Sequence, residues 1–498
     1  SYEEPRKGDD VYLTLDARIQ MIAERALRDG KVGRGAVVVI EPNSGEVLAI
    51  ASVPSFDPNK FIPSIRQSDW DGLLQNKTIP LLNRAVRGYA PGSTFKIPIS
   101  FAGCLANIQK HHYNCSGGVT YGNTYMKCWI GAKGGAHGSL NLSDAIMRSC
   151  NSFFYQYGND AGIGNITKVG NMLGVGERTG IELDDEEPGI LPGPQWLRVN
   201  RPRERWSSGF TANTSIGQGF VLASPLQMAS VVSTVANGGK SYVPHLLKKV
   251  MDHDKMVLDN VPKLRADLSE DVTEDEIELI RRGMWKVVND GSGTARGARI
   301  DGVEVAGKTG TAQNWRMENG IRLKDNHTWF ISFAPYENPK FAVCVLVQGG
   351  NSGGGCAAPV ARRVLEQSLA LENGFEVAVE PLPEAVGSFE FIQQVTYADS
   401  GIPTELLASD EEGDAAVITA PAVPAVERAP EIRNAPTIRQ EADRQGSEGV
   451  DSGATVPRAV PVRRAPIFSR GGDRPSSAPE SSSEPEPRRG LLQRLFRQ

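Results

Sequence analysis

The chain has 498 residues, of which 40% are hydrophobic and 23% charged, with a formal net charge of −5; that length accommodates one large domain or two to three ordinary ones. The small charge, with no basic patch or aromatic–basic ladder, argues against nucleic acid as a partner. The longest apolar runs, such as FAVCVLVQ from Phe341, are strand-length and too short to cross a bilayer, and six cysteines are too few for a disulfide scaffold in a chain this long.

The chain opens without methionine on the polar run SYEEPRKGDD, as a clipped or processed product would. LDARIQMIAERALRDG follows, an amphipathic helix with Ile19, Ile22, Ala23 and Ala26 on one face and Gly30 at its end. GAVVVIEPNSGEVLAIASVP reads as two strands joined by a turn at Pro42, Asn43 and Gly45. Later, RIDGVEVAGKTGTAQ, HTWFISFAPYENPKFAVCVLVQGG and AAPVARRVLEQSLALENG read as strand, strand, turn, strand and helix. Tight turns imply antiparallel pairing, and helices at both ends of such a sheet give an α+β class. After Asn373 the composition shifts to Pro, Ala, Ser, Glu and Arg, so 373–498 reads as a low-complexity disordered tail. Its end, GLLQRLFRQ, reads as solvated tail in preference to a basic amphipathic helix.

Three short motifs carry the chemistry. In NRAVRGYAPGSTFKIPISF, Ser93 and Lys96 stand three apart, so a helix starting at Pro91 places both on one face. A serine hydroxyl needs a base to become a nucleophile, and a lysine serves as that base once its surroundings favour the neutral amine. Ser149-Cys150-Asn151 follows, and then GKTGTA from Gly307 to Ala312 on a strand. S-x-x-K alone arises often by chance; followed by S-x-N and K-T-G in that order it is the signature set of penicillin-reactive serine acyltransferases. In that chemistry Ser93 attacks, Lys96 accepts its proton, and Ser149 and Lys308 relay a proton to the leaving amine. Asn151 holds a substrate carbonyl and keeps Lys96 in place. Thr309 and Thr311 flank Lys308 where a terminal carboxylate would bind, and Gly310 leaves the strand open to substrate. The backbone N–H groups of Ser93 and Thr311 are the natural oxyanion donors.

From about Asp16 to Glu372 the chain resembles the class B penicillin-binding proteins, which are peptidoglycan D,D-transpeptidases. GEVLAIASVPSFDPN, PLLNRAVRGYAPGSTFK, SCNSFFYQYG, SIGQGFVLASPLQMA and GKTGTAQ all carry the likeness. SIGQG, AHGSL and GGNSGGGCAAPVARRVLE are similar to the cell-elongation branch rather than the septal one. The resemblance implies a penicillin-binding transpeptidase fold, a D-Ala-D-Ala stem-peptide donor, acylation by β-lactams and no catalytic cofactor. It also implies an elongation glycosyltransferase partner and a place at the periplasmic face of the inner membrane. On this reading 1–15 is the remnant of a linker to a pedestal module, 16–372 is the transpeptidase domain, and the membrane anchor is absent from this chain. The rival readings are a serine β-lactamase, for which no glutamate motif is evident, a carboxypeptidase, which would show a different middle section, and a non-catalytic penicillin sensor.

Cys115, Cys128, His137 and Cys150 lie between the first two motifs. Three thiolates and an imidazole make a complete tetrahedral zinc shell, which would be structural because no position is left open. Some members of the elongation branch hold zinc at matching places, two ligands being carboxylates where this chain has cysteines. A disulfide or buried free thiols are the alternatives. His327 reads as a strand-start hydrogen-bonding residue, His111 and His112 as loop residues, and DDEEPG from Asp184 as a turn of solvated charge.

Overall fold

The computed structural model describes residues 7–318 and 321–375. By compactness the chain divides into Ser1–Ala422 and Val423–Gln498, and the second unit lies wholly outside the described residues. The expected tail past residue 375, with its terminal GLLQRLFRQ, lies outside them too.

The first helix, α1 (Ala17–Asp29), starts where the Asp16 side chain accepts from the Arg18 backbone N–H, and Gly30 caps its end. It buries Ile19, Ile22, Ala23, Ala26 and Leu27, the stripe that its spacing announces. Strands β1 (Gly35–Ile40) and β2 (Val47–Val53) follow as an antiparallel hairpin. Asp10–Leu13, within the segment read as a linker, is itself a strand paired antiparallel with Leu247–Asp252. The Thr14 hydroxyl then ties it down, lying 2.7 Å from the Val47 carbonyl and 3.0 Å from the His245 carbonyl and donating its one proton to either.

The middle of the chain supplies helices α2 (Lys96–Leu105), α3 (Leu142–Met147), α4 (Asn151–Met172, broken at Gly162), α5 (Pro225–Ala236) and α6 (Glu274–Asn289). Strands β3 (Ala306–Ala312), β4 (His327–Ala334) and β5 (Phe341–Gln348) and helix α7 (Ala358–Glu372) close the domain. The five strands form one antiparallel sheet in the order β3-β4-β5-β1-β2.

Every residue of β1, β4 and β5 is buried, so both faces of the sheet are covered and these strands are apolar almost throughout rather than alternating. Helices α1 and α7 pack on each other and on the sheet, and α5 packs on β1, β4 and β5. A second helical layer joins α2 to α4 and α3 to α6, and α6 also packs on β3. That last contact matters for function. It sets edge strand β3, which carries K-T-G, beside the helices that carry S-x-x-K and S-x-N.

Candidate active site

Ser93 lies in a 3-10 turn, Gly92–Phe95, which runs directly into α2 at Lys96. The sequence reading has a plain helix here. The tighter turn serves the pair better, because residues three apart in a 3-10 turn eclipse one another. Pro98 is third in α2, within the first turn, where proline is tolerated.

Lys96 Nζ stands 2.9 Å from Ser93 Oγ and donates to Asn151 Oδ1 at 2.6 Å and the Ser149 carbonyl at 2.8 Å. Ser149 Oγ is 3.2 Å from the same nitrogen and accepts from Lys308 Nζ at 2.9 Å. Lys308 also donates to the Thr309 carbonyl at 2.9 Å. Three segments spread over more than two hundred positions therefore meet on the Ser149 hydroxyl, one lysine away from that of Ser93, and all of Ser93, Lys96, Ser149, Asn151 and Lys308 are buried.

The S-x-N segment is the hinge between α3 and α4. Ser149 adopts φ +51°, a left-handed conformation that costs a non-glycine residue about 1–3 kcal/mol and persists only where the surroundings enforce it. Backbone bonds that close α3 hold it: the Ser149 N–H donates to the Ile146 carbonyl at 3.1 Å and the Cys150 N–H to the Ala145 carbonyl at 3.0 Å. Cys150 is then the N-cap of α4, its sulfur accepting from the Phe153 N–H at 3.4 Å. Ser149 and Asn151 thus turn toward Lys96, while Cys150 joins a separate cluster with the buried Cys115 and Cys128 and the half-buried His137.

In that cluster the four ligand atoms lie within 4.8 Å of one another. Cys128 Sγ is 3.9 Å from Cys150 Sγ, and His137 Nδ1 is 3.6 and 3.7 Å from the sulfurs of Cys115 and Cys128. The edge of a tetrahedron with metal–sulfur bonds of about 2.3 Å is about 3.8 Å, so the donor set fits zinc. A disulfide needs sulfurs at about 2.05 Å, and none of the six cysteines is joined to another.

Gly310 has a different reason from the one the sequence reading gives it. A Cβ there would stand 2.8 Å from the Pro91 carbonyl and 3.0 Å from Thr94 Cγ2. Its bare face admits the turn that carries Ser93. Gly310→Ala is therefore expected to push β3 off that turn and lower the rate of serine acylation about tenfold or more, a prediction that stopped-flow labelling checks.

The acidic turn departs from expectation in its second half: Asp184 and Asp185 are exposed as expected, but the two glutamates are not simply solvated. Glu186 is buried and accepts from the Thr179 N–H at 2.9 Å, and burial holds its carboxyl above the ordinary range. Glu187 accepts from the Gly88 N–H and from Arg87, bracing the run that leads to Ser93. Both acids are engaged in structure. His327 does start a strand; burial pushes it down to about 4, and its Nε2 faces the Asn314 amide at 3.1 Å. His111 and His112 lie in a loop.

Two residues that no motif flags line the cleft with Ser149, Thr309 and Thr311: Trp129 and Thr294. Trp129 follows Cys128, packs edge-on against the His137 ring and donates to the Arg148 carbonyl at 3.1 Å. Its position after a candidate metal ligand is the only trace of this in the sequence. Thr294, in the loop after α6, has none.

A model of the penicillin binding protein transpeptidase domain matches residues 35–366. Peptidoglycan D,D-transpeptidase MrdA of Acinetobacter baumannii is 35% identical over 387 residues, 74% of this chain and 55% of that protein. The chain thus spans little more than half the length of such a relative. Among solved structures, Pseudomonas aeruginosa PBP2 in complex with WCK 5153 superposes with a TM-score of 0.66 at 33% identity, covering 76% of this chain and 80% of that one. A chain of a peptidoglycan synthase complex, described for its coordination of polymerization and crosslinking, superposes at 0.63 with 32% identity, covering 76% and 65%. With the three motifs converged on one serine and the family model spanning the whole five-stranded sheet, this chain belongs to the penicillin-binding protein transpeptidase family.

Proposed function

We propose that the domain is the cross-linking unit of a peptidoglycan D,D-transpeptidase of the elongation type, working through an acyl-enzyme on Ser93. The observation that carries this is the unbroken relay Ser93 Oγ–Lys96 Nζ–Ser149 Oγ–Lys308 Nζ. A neutral amine has two N–H bonds and one lone pair. The Asn151 oxygen and the Ser149 carbonyl use the two N–H bonds, which leaves the lone pair for the Ser93 hydroxyl.

Ser93 Oγ attacks the carbonyl of the penultimate D-Ala of a stem peptide, and its proton passes to Lys96. The negative oxygen of the tetrahedral intermediate is held by the backbone N–H groups of Ser93 and Thr311. As the carbon–nitrogen bond breaks, the departing D-Ala amine takes a proton from Ser149, which Lys308 or Lys96 resupplies. An amine of a neighbouring strand then attacks the ester. Its proton leaves through the same relay, and Ser93 recovers its own. Asn151, its oxygen committed to Lys96, offers its NH₂ to a donor carbonyl. The donor lies extended along the free edge of β3, with its terminal carboxylate at Lys308, Thr309 and Thr311. A β-lactam enters the same way, with no separate leaving group to diffuse off.

Lys308→Ala is expected to weaken recognition of that carboxylate. It should raise the KM for donor or penicillin about 10–100-fold while lowering kcat less, as Michaelis kinetics on a chromogenic thioester donor would measure.

Cys115, Cys128, His137 and Cys150 would hold a structural zinc ion, which supplies no reaction chemistry because four protein ligands fill its shell. Its service is to fix Cys150, and through it Ser149 and Asn151. The reaction itself uses no cofactor. By likeness to the elongation branch, the domain works at the periplasmic face of the inner membrane beside a glycosyltransferase that supplies new strands. Among the described residues no helix is long and apolar enough to cross a membrane.

The test is covalent labelling with a fluorescent penicillin, followed by proteolysis and mass mapping, together with a cross-linking assay on purified muropeptides. The adduct is expected on Ser93 and cross-linked dimers are expected from the donor. An adduct elsewhere, or one cleared within seconds with no dimer formed, would overturn the reading.

A further inference from the structure

K-T-G presents Thr309 to the lining of the cleft, and the hydroxyl of Thr294, which lines it too, sits 2.8 Å from Thr309 Oγ1. Thr294 comes from a different element, the loop that leaves α6 on its way to β3. That loop is built to bring it there. A Cβ on Gly293 would stand 2.3 Å from the Val287 carbonyl, so only glycine lets the chain fold back against the end of α6. The Ala295 N–H then bonds the Val287 carbonyl at 2.9 Å. Arg299 caps the end of α6 by donating to the carbonyls of Val288 and Asn289 at 2.9 and 2.7 Å. The Asn289 side chain donates to the Val305 carbonyl at 2.9 Å, which fixes the loop to the start of β3.

A hydroxyl has a single proton. If Thr309 spends it on Thr294, Thr309 turns lone pairs toward the cleft and repels an anion. If Thr294 donates instead, the Thr309 proton is free to point at one. We propose that Thr294 is a positioning residue for the acyl donor's terminal carboxylate: it donates to Thr309 Oγ1, so that the Thr309 proton faces the anion bound beside Lys308. This rests on the acyl-transfer reading above. It adds a recognition residue from outside the three motifs and explains why the α6–β3 loop approaches the cleft so closely.

The experiment compares benzylpenicillin with its methyl ester, which keeps the reactive ring and lacks the charge. Second-order acylation rates are measured for the wild-type chain and for Thr294→Val, Thr294→Ser and Thr294→Ala, with melting temperatures as the check on folding. Thr294→Val keeps the shape and removes the donor. It is expected to slow acylation by the free acid about tenfold, the scale of a hydrogen bond to a charged group, and to change the rate with the ester less than about twofold. Thr294→Ala should repeat that pattern, and Thr294→Ser should restore the wild-type rate with both. Equal losses on acid and ester would reduce Thr294 to a packing residue and overturn the proposal, as would full activity in Thr294→Val. Failure of both penicillins to acylate the wild-type chain would sink the acyl-transfer reading itself, a result distinct from either of these.

Discussion

Ser93→Ala is expected to abolish covalent labelling by penicillin altogether while leaving the melting temperature within a few degrees of wild type. The hydroxyl is small, and removing it leaves Lys96 with three other oxygen neighbours: Asn151 Oδ1 and the carbonyl and hydroxyl of Ser149. A folded Ser93→Ala protein that still carried a covalent adduct would move the nucleophile elsewhere. Lys96→Met separates nucleophile from base. It preserves the length of the side chain and removes the amine, so Ser93 remains but nothing takes its proton. The expected loss in acylation rate is about 10²–10⁴-fold, the usual contribution of a positioned general base. This second variant should also be less stable, because the Asn151 oxygen and Ser149 carbonyl lose a buried donor, at about 1–3 kcal/mol for each group left unpaired. Labelling kinetics and thermal melts together therefore distinguish the two roles: an intact fold with no adduct for Ser93, a softened fold with slow adduct formation for Lys96.

Much of this site is legible in sequence because its chemistry is compressed into short motifs. Ser93 and Lys96 are one turn apart, and Ser149 and Asn151 flank a single residue, so local geometry alone nearly fixes each pair. The hairpin of β1 and β2 and the α1 stripe are legible for a similar reason, since each is a periodic pattern ended by turn residues. Less legible is whatever depends on which segments touch. Gly310 reads as an opening for substrate until Pro91 and Thr94 are seen to fill the space above it. The acids of DDEEPG read as solvated because charge in a turn usually is. Burial of Glu186 is set by the Thr179 amide seven residues away, and the partners of Glu187 lie about a hundred residues distant. Thr294 has no signature at all, for G-S-G-T is ordinary loop composition and its partner arrives from another strand.

The Cys/His cluster yields the second large effect. Purified without chelator, the chain is expected to carry one zinc ion per molecule by elemental analysis. Extracting it should lower the melting temperature by about 10 °C or more, because a structural zinc site contributes folding free energy outright. The loss should reach the active site, and the route is specific. Ser149 sits at φ +51° between two helices, and the adjoining Cys150 is both the α4 cap and a member of the cluster. Release of Cys150 loosens the helix junction whose backbone bonds hold Ser149 in a conformation costly to a non-glycine residue, and with it the bridge between Lys96 and Lys308. Acylation of Ser93 should slow in the metal-depleted protein even at temperatures where it remains folded, and restored zinc should restore both rate and melting temperature. His137→Ala removes a ligand that belongs to no catalytic motif, so it should reproduce the depleted state without touching the relay directly. If the isolated chain holds no metal and His137→Ala matches wild type in melting and labelling, the four residues are a packed cluster of thiols and an imidazole. Cys150 would then orient Ser149 through its cap on α4 alone.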